Sequence, residues 1–311
     1  MGKTTTIAVL IDHRHITHVM LCILLFVFGG NEAMSQMLYT PFPSSFRNTQ
    51  TNELINGTSL SPVFQKLRKN RTVKVMQIGD SHVRGNFLPR SLETTLKRYF
   101  PTVDFAYYGI NGAWAKRFYE YDMINRVSAE HPDLVIISFG TNEAHGSTIN
   151  ERVHAETMDM LTKRISERCS GVCFIFTTPP GSYISQRTGS YTTGRGRNRR
   201  TRYRTTKVPN QNTTNVARSI VNYCHSHKYA VWDIYTIAGG STSAFSNWKN
   251  AGMMNSDLVH YLAQGYNLQG KLLGEAIYKA YQSTAQAGSQ TRMNHGSTPQ
   301  EQKPYVTVKG F

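Results

Sequence analysis

Four short stretches, far apart in the chain, hold between them the groups that acyl transfer through a serine ester requires. Gly79-Asp80-Ser81-His82 presents a serine directly after an apolar run. Gly109-Ile110-Asn111-Gly112 and Gly140-Thr141-Asn142-Glu143 present a glycine N–H and an asparagine amide. Asp257-Leu258-Val259-His260 presents a carboxylate and an imidazole one turn apart. A serine hydroxyl is a weak nucleophile until a neighbouring base takes its proton. With Asp257 accepting the Nδ1–H of His260, Nε2 of that ring is free to serve Ser81 as the base. A tetrahedral intermediate concentrates negative charge on one oxygen. The backbone N–H of Ser81, the N–H of Gly112 and the amide of Asn142 are the candidate donors, each such donor being worth about 10²–10³ in rate.

Each stretch alone also has a plainer reading. Ser81 could be an ordinary helix N-cap, Asp257 an N-cap beside a surface histidine, Gly109 and Gly112 turn glycines, and Asn142 a loop asparagine. His82 is a rival base, but its position next to Ser81 aims its side chain elsewhere. Asp80, His82 and His145 have the residue types of a metal site and none of the spacing, and no zinc pattern is present. The four stretches gain weight from their order and from the elements that precede them.

Those elements alternate. Residues 73–78, 103–108, 133–139, 172–176 and 229–234 read as strands, the third (DLVIISF) being continuously apolar, as in a sheet buried on both faces. Residues 61–69, 89–99, 125–130, 152–168, 216–227 and 266–281 read as helices from their apolar spacing and their start signals. Alternating strands and helices imply a parallel sheet with right-handed crossovers. In open sheets of this kind the site lies beyond the carboxyl ends of the strands. Ser81, Gly112 and Asn142 all follow such ends.

The four stretches resemble the blocks of the SGNH (GDSL) hydrolase superfamily, whose serine, glycine, asparagine and histidine match Ser81, Gly112, Asn142 and His260. Within it, GDSH followed by GINGA, GTNEA and DxxH is most similar to bacterial peptidoglycan O-acetyl esterases. The resemblance spans residues 73–281. It implies an α/β fold, a three-layer α/β/α flavodoxin-like sandwich with a five-stranded parallel sheet, with no metal and no cofactor. It also implies a serine-ester intermediate whose oxyanion is held by Ser81, Gly112 and Asn142. Glu143 stands where many members of the superfamily have aspartate. The β-rich module that such esterases often carry between the first two blocks has no room here.

Composition adds a second theme. The 311 residues carry a formal charge of +16 and a pI near 9.8, which points to an anionic partner or surface. Arg187, Arg195, Arg197, Arg199, Arg200, Arg202, Arg204 and Lys207 supply half of that excess from a stretch without one acidic residue. This insert, residues 185–212, reads as a loop over the cleft able to meet an anionic polymer. Its guanidinium groups suit carboxylates or phosphates. Tyr191 and Tyr203 among the arginines also fit nucleic-acid binding, a partner disfavoured for an exported protein. Trp114, Tyr183 and Trp248 lie near the four blocks. Tyr183 and Trp248 are the candidates to stack on a sugar.

The N-terminus reads as a targeting segment. Lys3, His13, Arg14 and His15 precede an apolar run over residues 19–28, which is too short for a membrane span. Ala33 and Ser35 offer the small residues of a cleavage site, giving residues 1–35 as a signal peptide, or as an anchor if uncleaved. Residues 36–70 read as an N-terminal extension, 71–283 as the esterase domain and 284–311 as a disordered tail. Of the four cysteines, Cys169, Cys173 and Cys224 would follow the signal. They read as small buried residues, although Cys169 and Cys173 are close enough in sequence for a bridge to be considered.

The expected activity is that of an exported serine esterase, periplasmic or extracellular, removing O-acetyl groups from a carbohydrate such as peptidoglycan. Acetylated xylan, acetylated sialic acid and short-chain lipid esters are the rival substrates. Transfer of the acetyl group to another sugar is a mechanistic variant. A non-catalytic envelope protein that binds an anionic polymer is the alternative from a different class.

Overall fold

Side-chain alternation within the central strands decides the layering. In the computed structural model, Leu134 and Ile136 point into one apolar cluster, while Val135 and Ile137 point into another. Val75 and Ile175 join the first cluster, and Met76, Ile78, Phe174 and Phe176 the second. Both faces are buried, so the strands read as unbroken apolar runs rather than as alternating ones. The structure describes residues 39–295 except 121, 147 and 148, with the backbone alone over 287–295. The proposed signal segment 1–35 and Cys22 lie outside the described residues.

The strands are β1 (Val73–Gly79), β2 (Val103–Gly109), β3 (Leu134–Ser138), β4 (Cys173–Thr177), β5 (Tyr183–Thr193), β6 (Arg200–Pro209) and β7 (Ala230–Trp232). The helices are α1 (Ser61–Arg68), α2 (Ser81–Arg84), α3 (Phe87–Tyr99), α4 (Ala115–Glu120), α5 (Met123–Ala129), α6 (Thr141–His145), α7 (Glu151–Arg168), α8 (Asn212–His227), α9 (Ile234–Ile237), α10 (Gly240–Asn250) and α11 (Ala263–His295). Five strands form one wholly parallel sheet in the order β2-β1-β3-β4-β7. With helices on both faces this is the expected α/β/α sandwich. The chain leaves β1 toward β2 on one side and returns to place β3 on the other. Their carboxyl ends therefore diverge at a topological switch point, where such sheets form their crevice.

Three sequence expectations need correction. First, there is no boundary at residue 70. From Phe42 onward the described residues form one compact unit. Phe46, Leu60, Val63, Phe64 and Leu67 belong to the first core. Ile55 also exchanges two 3.0 Å backbone hydrogen bonds with Val231, covering the outer edge of β7. Second, the Arg-rich insert is not a loop but an antiparallel hairpin of β5 and β6. Residues 184–207 are exposed on it. With no face to bury, it lacks the apolar alternation that would have revealed its strands. Third, α11 continues to His295, so the start of the expected disordered tail is helical. Residues 296–311 lie outside the described residues.

Helices α3 and α11 pack closely over the first core. A Cβ at Gly270 would lie 2.7 Å from both the Leu88 carbonyl oxygen and the Leu92 nitrogen. Gly270→Ala would gain about 1 kcal/mol of helix propensity, but a backbone clash of this kind costs about 1–3 kcal/mol. We expect a net loss of stability, read as a lower denaturant midpoint; a raised midpoint would show that the two helices separate freely.

Candidate active site

The site starts from register. Gly79 of β1 pairs with Gly109 of β2 and with Ser138 of β3, so the three strands end at one level. Ser81 follows two residues after that level, Gly112 three after Gly109 and Asn142 four after Ser138. The turn of α2 sits directly on the ends of β1 and β2 because Gly79 and Gly109 carry no side chains. A Cβ at Gly79 would lie 2.5 Å from the Ser138 carbonyl oxygen, and one at Gly109 would lie 2.2 Å from the Arg84 nitrogen. Asp80 caps the turn, its Oδ1 accepting the His82 N–H at 2.9 Å. Ser81 thus stands half-buried at the start of a helical turn, where backbone N–H groups have no intrahelical acceptor.

The partners of Ser81 come from a loop between α10 and α11. Ser81 Oγ lies 2.9 Å from His260 Nε2, and His260 Nδ1 lies 2.7 Å from Asp257 Oδ2. The other oxygen, Asp257 Oδ1, accepts the N–H groups of Val259 at 2.8 Å and His260 at 2.9 Å. This curl puts Leu258 in the left-handed region, with φ of 56°, which costs a non-glycine residue about 1–2 kcal/mol. The Asp257 hydrogen bonds, and the Leu258 carbonyl accepting the Tyr183 N–H at 2.8 Å, hold it there. Burial pushes the Asp257 carboxyl up. Hydrogen bonds from the His260 ring and from the two N–H groups outweigh that and keep it below the ordinary carboxylate value. The carboxylate therefore stays ionised beside the imidazole.

Asn142 and Gly112 reach the same rim. Gly112 is exposed, has φ of 66°, and a Cβ built there would meet open space. Asn142 donates through Nδ2 to the Ala113 carbonyl at 3.0 Å and to Asp80 Oδ2 at 3.2 Å. Both amide hydrogens are thus engaged, the contact to Asp80 being the longer. Glu143 locks the two loops together: Oε1 accepts the Ala115 N–H at 2.8 Å and Oε2 the Gly140 N–H at 3.0 Å. This clamp is a positioning role that the sequence reading missed. The signal was present, a glutamate three residues into a helix, as in a capping box.

His82 does not compete as the base. Its ring is buried, with Nδ1 2.8 Å from the Tyr266 hydroxyl. Burial, reinforced by the charge of His260, pushes it down to about 3, so it stays neutral. His145 turns away to Ser182 Oγ at 2.9 Å. Among the described residues, no three His, Cys, Asp or Glu side chains are grouped to hold a metal ion. Cys169, Cys173 and Cys224 are free thiols. No described helix is long and apolar enough to cross a membrane.

The two aromatic candidates for sugar stacking are corrected. Trp248 is 0% exposed, with its ring edge-on to Phe46 and Tyr261. Tyr183 is 5% exposed and donates its hydroxyl to the Phe245 carbonyl at 3.2 Å. Both lie near the motifs in sequence because they build the core beneath the rim. Trp114 is the exposed aromatic here, at 48%. It lines a cleft of about 290 Å³ with Lys116, Glu143, Gly146, Asn150 and His154.

Comparison with known proteins bears on the family and the fold. The model of the GDSL-like lipase/acylhydrolase family matches residues 76–268. A solved peptidoglycan O-acetylesterase superposes with a TM-score of 0.59 at 15% identity, over 78% of this chain and 99% of that one. A carbohydrate esterase family 3 protein from Talaromyces cellulolyticus gives 0.48 at 14% identity, over 68% and 99%. A lipase/acylhydrolase from Enterococcus faecalis gives 0.46 at 20% identity, over 66% and 95%. No curated protein matches the sequence significantly.

Asp80 generates a pH test. It is fully buried, and burial raises it from an ordinary 3.8 to about 7, against the opposing pull of the His82 N–H and the His260 charge. Between those two values the folded state binds a proton that the unfolded state has released. The contribution is therefore complete below about pH 4 and is lost as pH rises through about 7. Thermal melts of the wild type and Asp80→Asn across pH 4–8 should diverge with this sign, the variant gaining relative stability at high pH. A gap that does not change with pH would refute the shift.

Proposed function

This chain belongs to the GDSL-like lipase/acylhydrolase family and is a carboxylic ester hydrolase of the SGNH type; from that premise we propose that it removes O-acetyl groups from a carbohydrate, peptidoglycan first, through an acetyl ester on Ser81. The observation that carries the reading is the unbroken line from Ser81 Oγ to His260 Nε2, and from His260 Nδ1 to Asp257 Oδ2.

In this reading Ser81 Oγ attacks the acetyl carbonyl carbon while its proton passes to His260 Nε2. Asp257 stabilises the imidazolium and keeps Nδ1 protonated. The oxyanion takes hydrogen bonds from the N–H groups of Ser81 and Gly112 and from Asn142, whose Nδ2–H leaves Asp80 to reach it. The bond to the sugar oxygen then breaks, and that oxygen takes the proton from His260. A water molecule gives a proton to the same imidazole and attacks the acetyl-enzyme. Acetate leaves, and Ser81 recovers its hydroxyl proton.

Fold similarity to a peptidoglycan O-acetylesterase over almost the whole of that chain supports the choice of sugar class. In the same reading Trp114, exposed beside the oxyanion loops, carries the sugar ring. The reading also includes export, with the apolar run over residues 19–28 as the signal.

Ser81→Ala and His260→Ala should each lower turnover of p-nitrophenyl acetate by about 10³ or more with circular dichroism unchanged, and Asn142→Ala by about 10²–10³. Retained turnover in Ser81→Ala would end the serine-ester reading. Trp114→Ala should raise KM for acetylated glycan and leave p-nitrophenyl acetate untouched. Acetate release should be faster from native peptidoglycan than from acetylated xylan, and the reverse order would move the enzyme to another sugar.

A further inference from the structure

The hairpin of β5 and β6 has an energetic oddity. A two-stranded ribbon is marginally stable by itself, and this one buries nothing along residues 184–207. It nevertheless concentrates eight cations with no acidic residue between residues 183 and 209. Among the described residues none of its arginines has an acidic partner. Mutual repulsion therefore goes uncompensated inside the molecule.

Register places three of the eight cations in one row. Cross-strand partners share a face, and faces alternate along each strand. Gly189 pairs with Arg204, Tyr191 with Arg202 and Thr193 with Arg200. These pairs lie on one face, where Arg200, Arg202 and Arg204 form a row with Tyr191. Two residues along a strand span about 6.6 Å, so the three guanidinium groups repeat at about that interval. Tyr191 is 46% exposed, with the Arg204 guanidinium 5.8 Å from its ring centre. The opposite face carries Tyr203, 51% exposed, with Arg187 stacked at 4.0 Å, Lys207 at the root, and serine and threonine partners.

The root of the hairpin is bound to the active-site loop. The Tyr183 N–H donates to the Leu258 carbonyl at 2.8 Å, and Lys207 Nζ donates to the Asp257 carbonyl at 3.0 Å. The arginine row therefore starts about 10 Å along the strand from this anchor, Arg204 being three residues from Lys207.

We propose that the hairpin is a binding arm for a linear anionic glycan, whose carboxylate or phosphodiester groups pair with Arg200, Arg202 and Arg204 while Tyr191 stacks on a sugar ring. Regular spacing on one face fits a polymer of repeating charge better than a single anion. Beyond Ile184 at its root, residues 185–207 include no large aliphatic side chain to insert into a bilayer, and the one tyrosine of the arginine row is too few to stack a run of bases. The polyanion follows from the hairpin alone; the choice of a glycan rests on the esterase reading above.

The test is calorimetric titration of the full chain with oligogalacturonate, a glycerol-phosphate polymer, neutral dextran, a single-stranded DNA oligonucleotide and anionic phospholipid vesicles. Both acidic glycans should bind and dextran should not. The triple variant Arg200→Gln, Arg202→Gln, Arg204→Gln should weaken glycan binding by at least about tenfold and flatten the dependence of log Kd on log salt by about two to three. The control triple Arg195→Gln, Arg197→Gln, Arg199→Gln removes equal charge from the tip and should weaken binding less than about threefold. Unchanged melting temperatures in both would verify the fold. Ser81→Ala should bind the glycans as the wild type does, so failure of the esterase chemistry would leave this result standing. No glycan binding by the wild type, equal losses in the two triples, or tighter binding of DNA or vesicles than of either glycan would each overturn the proposal.

Discussion

One hydrogen bond organises this molecule: Ser81 Oγ to His260 Nε2, 2.9 Å long between residues 179 apart in the chain. Neither residue is held there by its own neighbours alone. Ser81 is fixed because a helical turn rests on strand ends stripped of side chains at Gly79 and Gly109. His260 is fixed because Asp257 binds its ring and two backbone N–H groups at once, with Leu258 in a conformation that leucine disfavours and its carbonyl held by the distant Tyr183 N–H. Local strain is stored at the point where the chemistry needs precise placement.

The rest of the rim follows from electrostatics in a buried setting. Asp80 caps the Ser81 turn and also holds Asn142, yet it lies where an ionised carboxylate is costly, and its proton affinity rises accordingly. Glu143 binds the two oxyanion loops through one carboxylate and two backbone donors. These acids touch the proposed chemistry only through other groups. In the proposed reading they orient Ser81, Gly112 and Asn142 before a substrate arrives, and preorganised donors of this kind cost little to align during reaction. His82, neutral beneath the His260 ring, adds no competing positive charge.

The hairpin is the counterpart of this economy. Its residues contribute almost nothing to the core and carry repulsion outward, yet its two strands begin and end on the loop that holds Asp257. A rigid α/β/α frame holds the reacting groups, and a charged ribbon stands beside them. On the proposed readings of both, a fixed catalytic rim is paired with an added recognition element, the kind of division by which one fold serves different substrates.

Much of this was legible in the residues. Apolar runs of strand length separated by helical spacing specified a parallel sheet, and each of the five strands lies within a residue or two of its expected place. Ser81, Asp257 and His260 could be picked out because a serine directly after an apolar strand and a one-turn Asp-to-His spacing are local properties. The hairpin was not legible, since strands exposed on both faces leave no alternation to read. The burial of Trp248 and Tyr183 was not legible either: an aromatic ring can serve a core or a cleft equally well, and only packing against Phe46, Tyr261 and Phe245 decided it. The sequence by itself determined which groups were available and the order in which the sheet would present them. Tertiary structure alone decided their meeting, because level strand ends, a left-handed Leu258 and an asparagine shared between Asp80 and Ala113 depend on contacts among segments far apart in the chain.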